Sequence, residues 1–193
     1  PEQKQYIRER FNLTKVIYIG HVKPPKGIIE LVTAVAETPL ILDVFGPITE
    51  GITTDDFKHE RINYKGVLSS ENVISTLSDY DILAIPTYYS GEGYPGVILE
   101  AFSVGIPVLS TYWKNIPELV VHNVSGILVN PKSASEIRQS LTFLHHNPEQ
   151  YRKLCKGAIL KGQFLNSQKF TMLYKNLFLD IIENKKVLGN YDL

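Results

Sequence analysis

The segment Lys15-Val-Ile-Tyr-Ile-Gly-His-Val-Lys-Pro-Pro-Lys-Gly-Ile-Ile-Glu-Leu-Val-Thr-Ala-Val35 decides the fold. It opens with a short apolar run closed by Gly20, the pattern of a strand buried on both faces. A turn with two prolines follows, His21 to Gly27. Ile28, Leu31, Val32 and Val35 then fall at i, i+3, i+4 and i+7, one apolar face of a helix. Strand, turn and helix together make one βα unit.

The same alternation continues along the chain. Further strands are expected at residues 40–46, 61–66, 81–86, 105–110 and 126–129. Between them, residues 47–60 are polar and read as a loop, and Ser69 or Ser70 is placed to cap a helix through Leu77. A helix from Pro95 to Val104 has proline near its first position, and Ile116 to Val121 makes a short one. Ser133-Ala-Ser-Glu136 is a capping box for a helix to His146. Asn147 to Gln150 opens another, and Phe170, Leu173, Leu177, Phe178, Ile181 and Ile182 lie along one side of a last helix. Strands alternating with helices predict an α/β fold: a Rossmann-like parallel sheet covered by helices on both faces. The expected organisation is a linker over 1–14, the sheet domain over 15–165, and a C-terminal helix and tail over 166–193. In such sheets ligands lie beyond the carboxyl ends of the strands. That directs attention to residues 21–27, 46–50, 66–69, 87–95 and 111–118.

Composition removes several classes of function. Of 193 residues, 20 are Lys or Arg and 20 Asp or Glu, so no basic excess favours nucleic acid. Cys155 is the single cysteine, which excludes an internal disulfide and a multi-cysteine zinc site; it reads as helix core. The histidines are scattered, His145 and His146 reading as residues of a helix C-terminus, and no metal is expected. No apolar run approaches the roughly 20 residues of a membrane span. The chain begins at Pro1 and its one methionine is Met172. The expectation is therefore a piece of a longer protein.

The chemistry concentrates in Glu92-Gly-Tyr-Pro-Gly-Val-Ile-Leu-Glu100. The amides of Gly96, Val97 and Ile98 open a helix and lack intrahelical acceptors, which with the helix dipole suits a diphosphate. Gly93 and Gly96 carry no Cβ, so a ligand can approach the backbone. Glu100 lies inside an apolar helix and requires a partner. A ribose diol is one; a Lys or Arg of the same domain is the other. Glu92 reads either as a contact to neutral hydroxyls or as a solvated loop carboxylate. Lys26 reads as a diphosphate cation or a solvated turn lysine, and His21 as a ligand contact or a satisfied histidine. Tyr88 and Tyr89 line a pocket or pack as aromatics. No Walker A sequence occurs.

Taken together, these stretches resemble the C-terminal, donor-binding half of a GT-B glycosyltransferase of the retaining family 4 kind. The resemblance is carried by the Glu-x7-Glu spacing of Glu92 and Glu100, by Gly105-Ile-Pro-Val108, by Ile116-Pro-Glu-Leu-Val120 with Gly126-Ile-Leu-Val129, and by Tyr18-Ile-Gly20 with Lys26-Gly27. It implies that Glu92, with Gly93 and Tyr94, contacts the donor sugar, Glu92 being the residue catalysis depends on. It implies that Lys26, His21, Gly96 and Val97 hold the diphosphate, Glu100 the ribose, and Gly66 and Val67 the base. The substrate implied is a nucleoside-diphosphate sugar, with no metal or other cofactor. The acceptor is a glycan or glycolipid, bound by an N-terminal half outside this chain, without which turnover is not expected. Polysaccharide or cell-envelope synthesis, a cytoplasmic location and a peripheral membrane contact through that other half complete the expectation. Two positions depart from the family: His21 stands where an arginine is usual, and Lys114-Asn115 where a glycine pair is usual. They favour the competing class, a non-catalytic nucleotide-sugar-binding or assembly module; a GT-B-like epimerase or phosphorylase is the further alternative.

Overall fold

A computed structural model of the chain describes residue 7 and residues 9–164. The helix expected around Phe170 to Ile182 lies outside the described residues. Six strands form one sheet: β1 (Lys15–Ile19), β2 (Ile41–Phe45), β3 (Ile62–Tyr64), β4 (Ile82–Ala84), β5 (Val108–Thr111) and β6 (Gly126–Val129). Their order is β3-β2-β1-β4-β5-β6, and every pairing is parallel. Val16 pairs with Leu42 on one side and Ile82 on the other. The order reverses between β1 and β4, and a crevice opens there beyond the strand ends.

The sheet is buried because its strands carry apolar side chains on both faces. Val16, Ile17, Leu42, Val44, Ile82, Leu83, Val108 and Leu109 are all fully buried. The helices are α1 (Ile28–Ala36), α2 (Val73–Ser78), α3 (Gly96–Ser103), α4 (Ile116–Leu119), α5 (Ala134–His146) and α6 (Pro148–Phe164). Helix α1 packs with α5, and α2 with α3, the pairing that right-handed crossovers require on the two faces. The buried face of α1 is Ile28, Leu31, Ala34 and Val35; Val32 is only half-buried, so Ala34 takes the place expected for it.

Local chemistry moves several expected boundaries. Residues 47–60 are not all loop. Thr53 and Asp56 form a capping box that starts a 3-10 turn, Thr54–Phe57, and Phe57 stacks on Tyr64 with ring centroids 5.5 Å apart. Helix α2 begins at Val73 behind a 3-10 turn, Ser70–Asn72, and neither Ser69 nor Ser70 makes a cap bond to it. Ser133 Oγ accepts from Glu136 N, but the Glu136 carboxylate turns to Asn130 N and Nδ2 at 2.8 and 2.9 Å. Gly105 and Ile106 close the end of α3 through Phe102 and Ala101 carbonyls, so β5 starts at Val108.

At the amino edge, Asp81 Oδ2 accepts from Thr14 N, Thr14 Oγ1 and Lys15 N within 2.9 Å. Arg10 donates to the carbonyls of Ser78, Tyr80 and Val104, and Leu13 is fully buried. The stretch before β1 is thus stitched to the sheet through these residues.

Candidate functional site

The crevice between the ends of β1 and β4 is built by two segments. The first is a 3-10 turn, Pro24–Lys26, ended by Gly27 at φ 76°. A Cβ on Gly27 would lie 2.1 Å from the Pro86 carbonyl oxygen. Only glycine lets the turn pass this close to the end of β4 and start α1 at once. Tyr88 N completes the contact by donating to Pro25 O at 2.8 Å.

The second segment is the loop from Thr87 to Pro95. A tight turn, with Glu92 N donating to Tyr89 O at 3.0 Å, points Glu92 inward. Its side chain is only 8% exposed. Glu92 Oε2 accepts from Lys26 Nζ at 2.7 Å and from Thr87 Oγ1 at 2.7 Å. Oε1 has no donor among the described residues. Thr87 is itself buried, and its carbonyl accepts from Thr111 Oγ1 of β5. Tyr18 of β1 lies beneath: its hydroxyl donates to the His21 carbonyl at 2.7 Å. Burial, and after it the charge of Glu92, pushes the Tyr18 phenol well above its ordinary range.

Helix α3 starts at Gly96 with Pro95 as its extended N-cap. Among the described residues the amides of Gly96 and Val97 have no acceptor. Ile98 N does have one, Pro95 O at 3.1 Å, so it leaves the expected anion-facing set. A Cβ added at Gly93 or Gly96 would meet nothing within 4 Å, so both face open space. Glu100 sits one turn later, half-buried, and no side chain among the described residues pairs with it. The expected alternative of an internal Lys or Arg partner is not met among the described residues. Burial pushes its carboxyl above the ordinary glutamate value.

Lys26 and Glu92 are therefore brought into direct contact, which neither bland alternative anticipated. His21 is exposed at the end of β1 and engages through its carbonyl. Gly66 follows β3 at φ 79°, its carbonyl accepting from Gly46 N at 2.8 Å, and Val67 beside it is 72% exposed. Tyr94 donates to the Glu118 carboxylate of α4.

Sequence reasoning missed how the neighbouring loop is fastened. Trp113 Nε1 donates to Tyr89 O at 2.8 Å, and Lys114 Nζ to Ser90 O. With Tyr94 and Glu118, these bonds zip the segment after β5 to the Glu92 loop. Lys114 occupies the left-handed region at φ 46°, a conformation suited to the glycine usual there. Tyr89 is not simply packed: Lys23 and Lys26 lie over its ring at 4.0 and 5.2 Å. Among the described residues no three His, Cys, Asp or Glu side chains converge on a metal-sized site, and no helix is long and apolar enough to cross a membrane.

Comparison with known proteins agrees with this architecture. A glycosyltransferase of Methanocaldococcus jannaschii is 24% identical over 185 residues, covering 89% of this chain and 47% of that protein. An amylovoran biosynthesis glycosyltransferase of Erwinia amylovora is 39% identical over 83 residues, 41% of this chain and 20% of that protein. Anabaena HepE, solved with UDP and glucose, superposes with a TM-score of 0.70 at 21% identity, over 84% of this chain and 48% of that one. The chain spans about half the length, or less, of these curated relatives. The fold is that of GT-B glycosyltransferases, and the model of the group 1 glycosyl transferases matches residues 1–161, so the chain belongs to that family.

Proposed function

We propose that this chain binds the nucleoside-diphosphate sugar donor, and that the whole protein transfers the sugar, with retention, to a glycan or glycolipid in surface-polysaccharide synthesis. The observation that carries the reading is the Lys26–Glu92 pair, which bridges the loops after β1 and β4 at the strand-order reversal, the second loop leading to the acceptor-free amides of Gly96 and Val97. Lys26 has two further donor protons for a phosphate oxygen. The helix dipole adds its share, and the leaving diphosphate is stabilised without a metal. Glu92 presents Oε1 to a sugar hydroxyl while Lys26 and Thr87 fix Oε2. Glu100 takes the ribose hydroxyls, and Gly66 and Val67 border the base. His21 adds less, since an imidazole is a poorer phosphate clamp than a guanidinium. The whole protein's acceptor class is suggested by relatives such as the amylovoran enzyme.

A thermal-shift panel of UDP-, GDP- and ADP-sugars tests the reading. A ligand at 100 times its Kd stabilises by about 2.7 kcal/mol. At least one member is expected to raise the melting temperature of this chain; no shift at millimolar concentration with any of them overturns the proposal.

A further inference from the structure

A diphosphate brings two or more negative charges to the crevice, and the cations around it are unevenly committed. Lys23 pairs with Glu50 at 3.1 Å, Lys65 lies 3.8 Å from Asp43, and Lys26 has its charge offset by Glu92. Lys132 lies over the Tyr88 ring at 5.1 Å. Lys114 differs. It is exposed, its ammonium rests on the Ser90 carbonyl, and among the described residues no carboxylate lies within 4.0 Å of it. Its backbone is held where a side chain is disfavoured, at φ 46°. Trp113, bonded to Tyr89 O at 2.8 Å, fixes the segment so that the ammonium sits two residues before Glu92 in the loop that leads to the free amides.

Resting on the donor-binding reading, we propose that Lys114 is the second cation of the diphosphate clamp. Lys26 reaches the Glu92 loop from the β1 side and Lys114 from the β5 side. An ammonium has three donors, so Lys114 keeps its bond to Ser90 O while giving another to a phosphate oxygen. Among the described residues no carboxylate neutralises its charge, and unlike Lys132, which lies over the Tyr88 ring, it is bonded to the loop backbone at Ser90 O. It supplies what His21 lacks, a compact ammonium with three rotatable donors. The left-handed backbone at Lys114 is then a local cost retained for the ligand.

The test uses Lys114→Gly and Lys114→Arg in the full chain, with calorimetry of UDP, GDP and the matching NDP-hexose and NDP-hexuronate. Glycine suits the backbone, so Lys114→Gly is expected to melt no lower than the parent. It should nonetheless bind the nucleoside diphosphate and the NDP-hexose about tenfold more weakly, the size of one charge-assisted hydrogen bond at an exposed site. The salt dependence of its affinity should be shallower by about one counterion's worth, and Lys114→Arg should stay within about threefold of the parent. Unchanged or tighter binding by Lys114→Gly overturns the proposal. A loss confined to the NDP-hexuronate also overturns it, by giving Lys114 to an acidic sugar instead. If the parent chain binds no nucleoside diphosphate, the donor-binding reading fails and takes this one with it; if the parent binds and Lys114→Gly binds equally, only this one fails.

Discussion

Lys26 Nζ stands 2.7 Å from Glu92 Oε2, although the two residues are 66 positions apart in the chain. The expected roles place them at different parts of the donor, the lysine at the diphosphate and the carboxylate at the sugar. Their contact makes them one unit: Glu92 is oriented by the cation, and the cation is tempered by Glu92.

That coupling gives Glu92→Gln two opposite effects. Removing the carboxylate leaves Lys26 with an unopposed charge, so nucleoside-diphosphate affinity should rise about three- to tenfold. Loss of the oriented acceptor for the sugar should lower kcat of the proposed transferase by roughly 100-fold, an orientation-sized effect. Calorimetry for affinity and steady-state kinetics of the proposed transferase check the two together.

Lys26→Ala should be costly twice. The Glu92 side chain, 8% exposed, would keep only Thr87 as donor. Leaving a buried charged group under-partnered costs about 1–3 kcal/mol. Nucleoside-diphosphate binding should fall about tenfold or more by loss of a charge-assisted contact. Adding Glu92→Gln to Lys26→Ala should restore most of the stability and none of the affinity; denaturant melts and titrations separate the two.

Glu100 predicts a pH signature. Burial raises its carboxyl above the ordinary glutamate value, and no cation among the described residues offsets this. The folded chain thus holds this proton more tightly than the unfolded chain does. The group is neutral to stability below the ordinary value and turns unfavourable as pH rises through the raised one. Glu100→Gln should therefore be more stable than the parent at pH 7, with the advantage vanishing in acid. Hydroxyls donating to the carboxylate favour its charged form, so nucleotide affinity of the parent should fall as pH drops through the raised value. The variant should bind weakly at every pH. Melts and titrations from pH 4 to 8 check this.

Two glycines should respond oppositely. Gly27→Ala places a Cβ 2.1 Å from Pro86 O on a left-handed backbone and should destabilise by about 2–4 kcal/mol. Gly96→Ala meets open space at the start of α3 and should leave stability unchanged or up to about 1 kcal/mol higher. It should still weaken nucleotide binding, because the methyl occupies the ligand's approach to the amides. Unfolding and binding curves of the two variants check the pair.

The alternation of strands and helices was legible because β1, β4, β5 and β6 lie in short apolar runs and many of the turns carry glycine or proline. The Gly126–Val129 strand fell where expected, and the other strands were displaced by one to three residues at their ends, as Gly105 and Ile106 finish α3 rather than begin β5. The Thr53–Asp56 capping box was a readable signal inside a segment taken as loop. Glu92, Glu100 and Lys26 stood out by residue type against their neighbours. What the sequence did not disclose is pairing over distance. Nothing local says that Lys26 meets Glu92, or that Trp113 and Lys114 grip the Tyr89 and Ser90 carbonyls 24 residues away. Such contacts are set by which strand ends the sheet order makes neighbours.

The most direct test of donor binding at the β1–β4 crevice is calorimetry of the chain with a nucleoside monophosphate, the diphosphate and the diphosphate sugar of one base, repeated on Lys26→Ala and Glu100→Gln. The expected result is that the diphosphate binds at least tenfold more tightly than the monophosphate. Lys26→Ala should abolish that difference, while Glu100→Gln should weaken monophosphate and diphosphate alike. Equal affinity for monophosphate and diphosphate, or diphosphate binding untouched by both substitutions, would contradict the account.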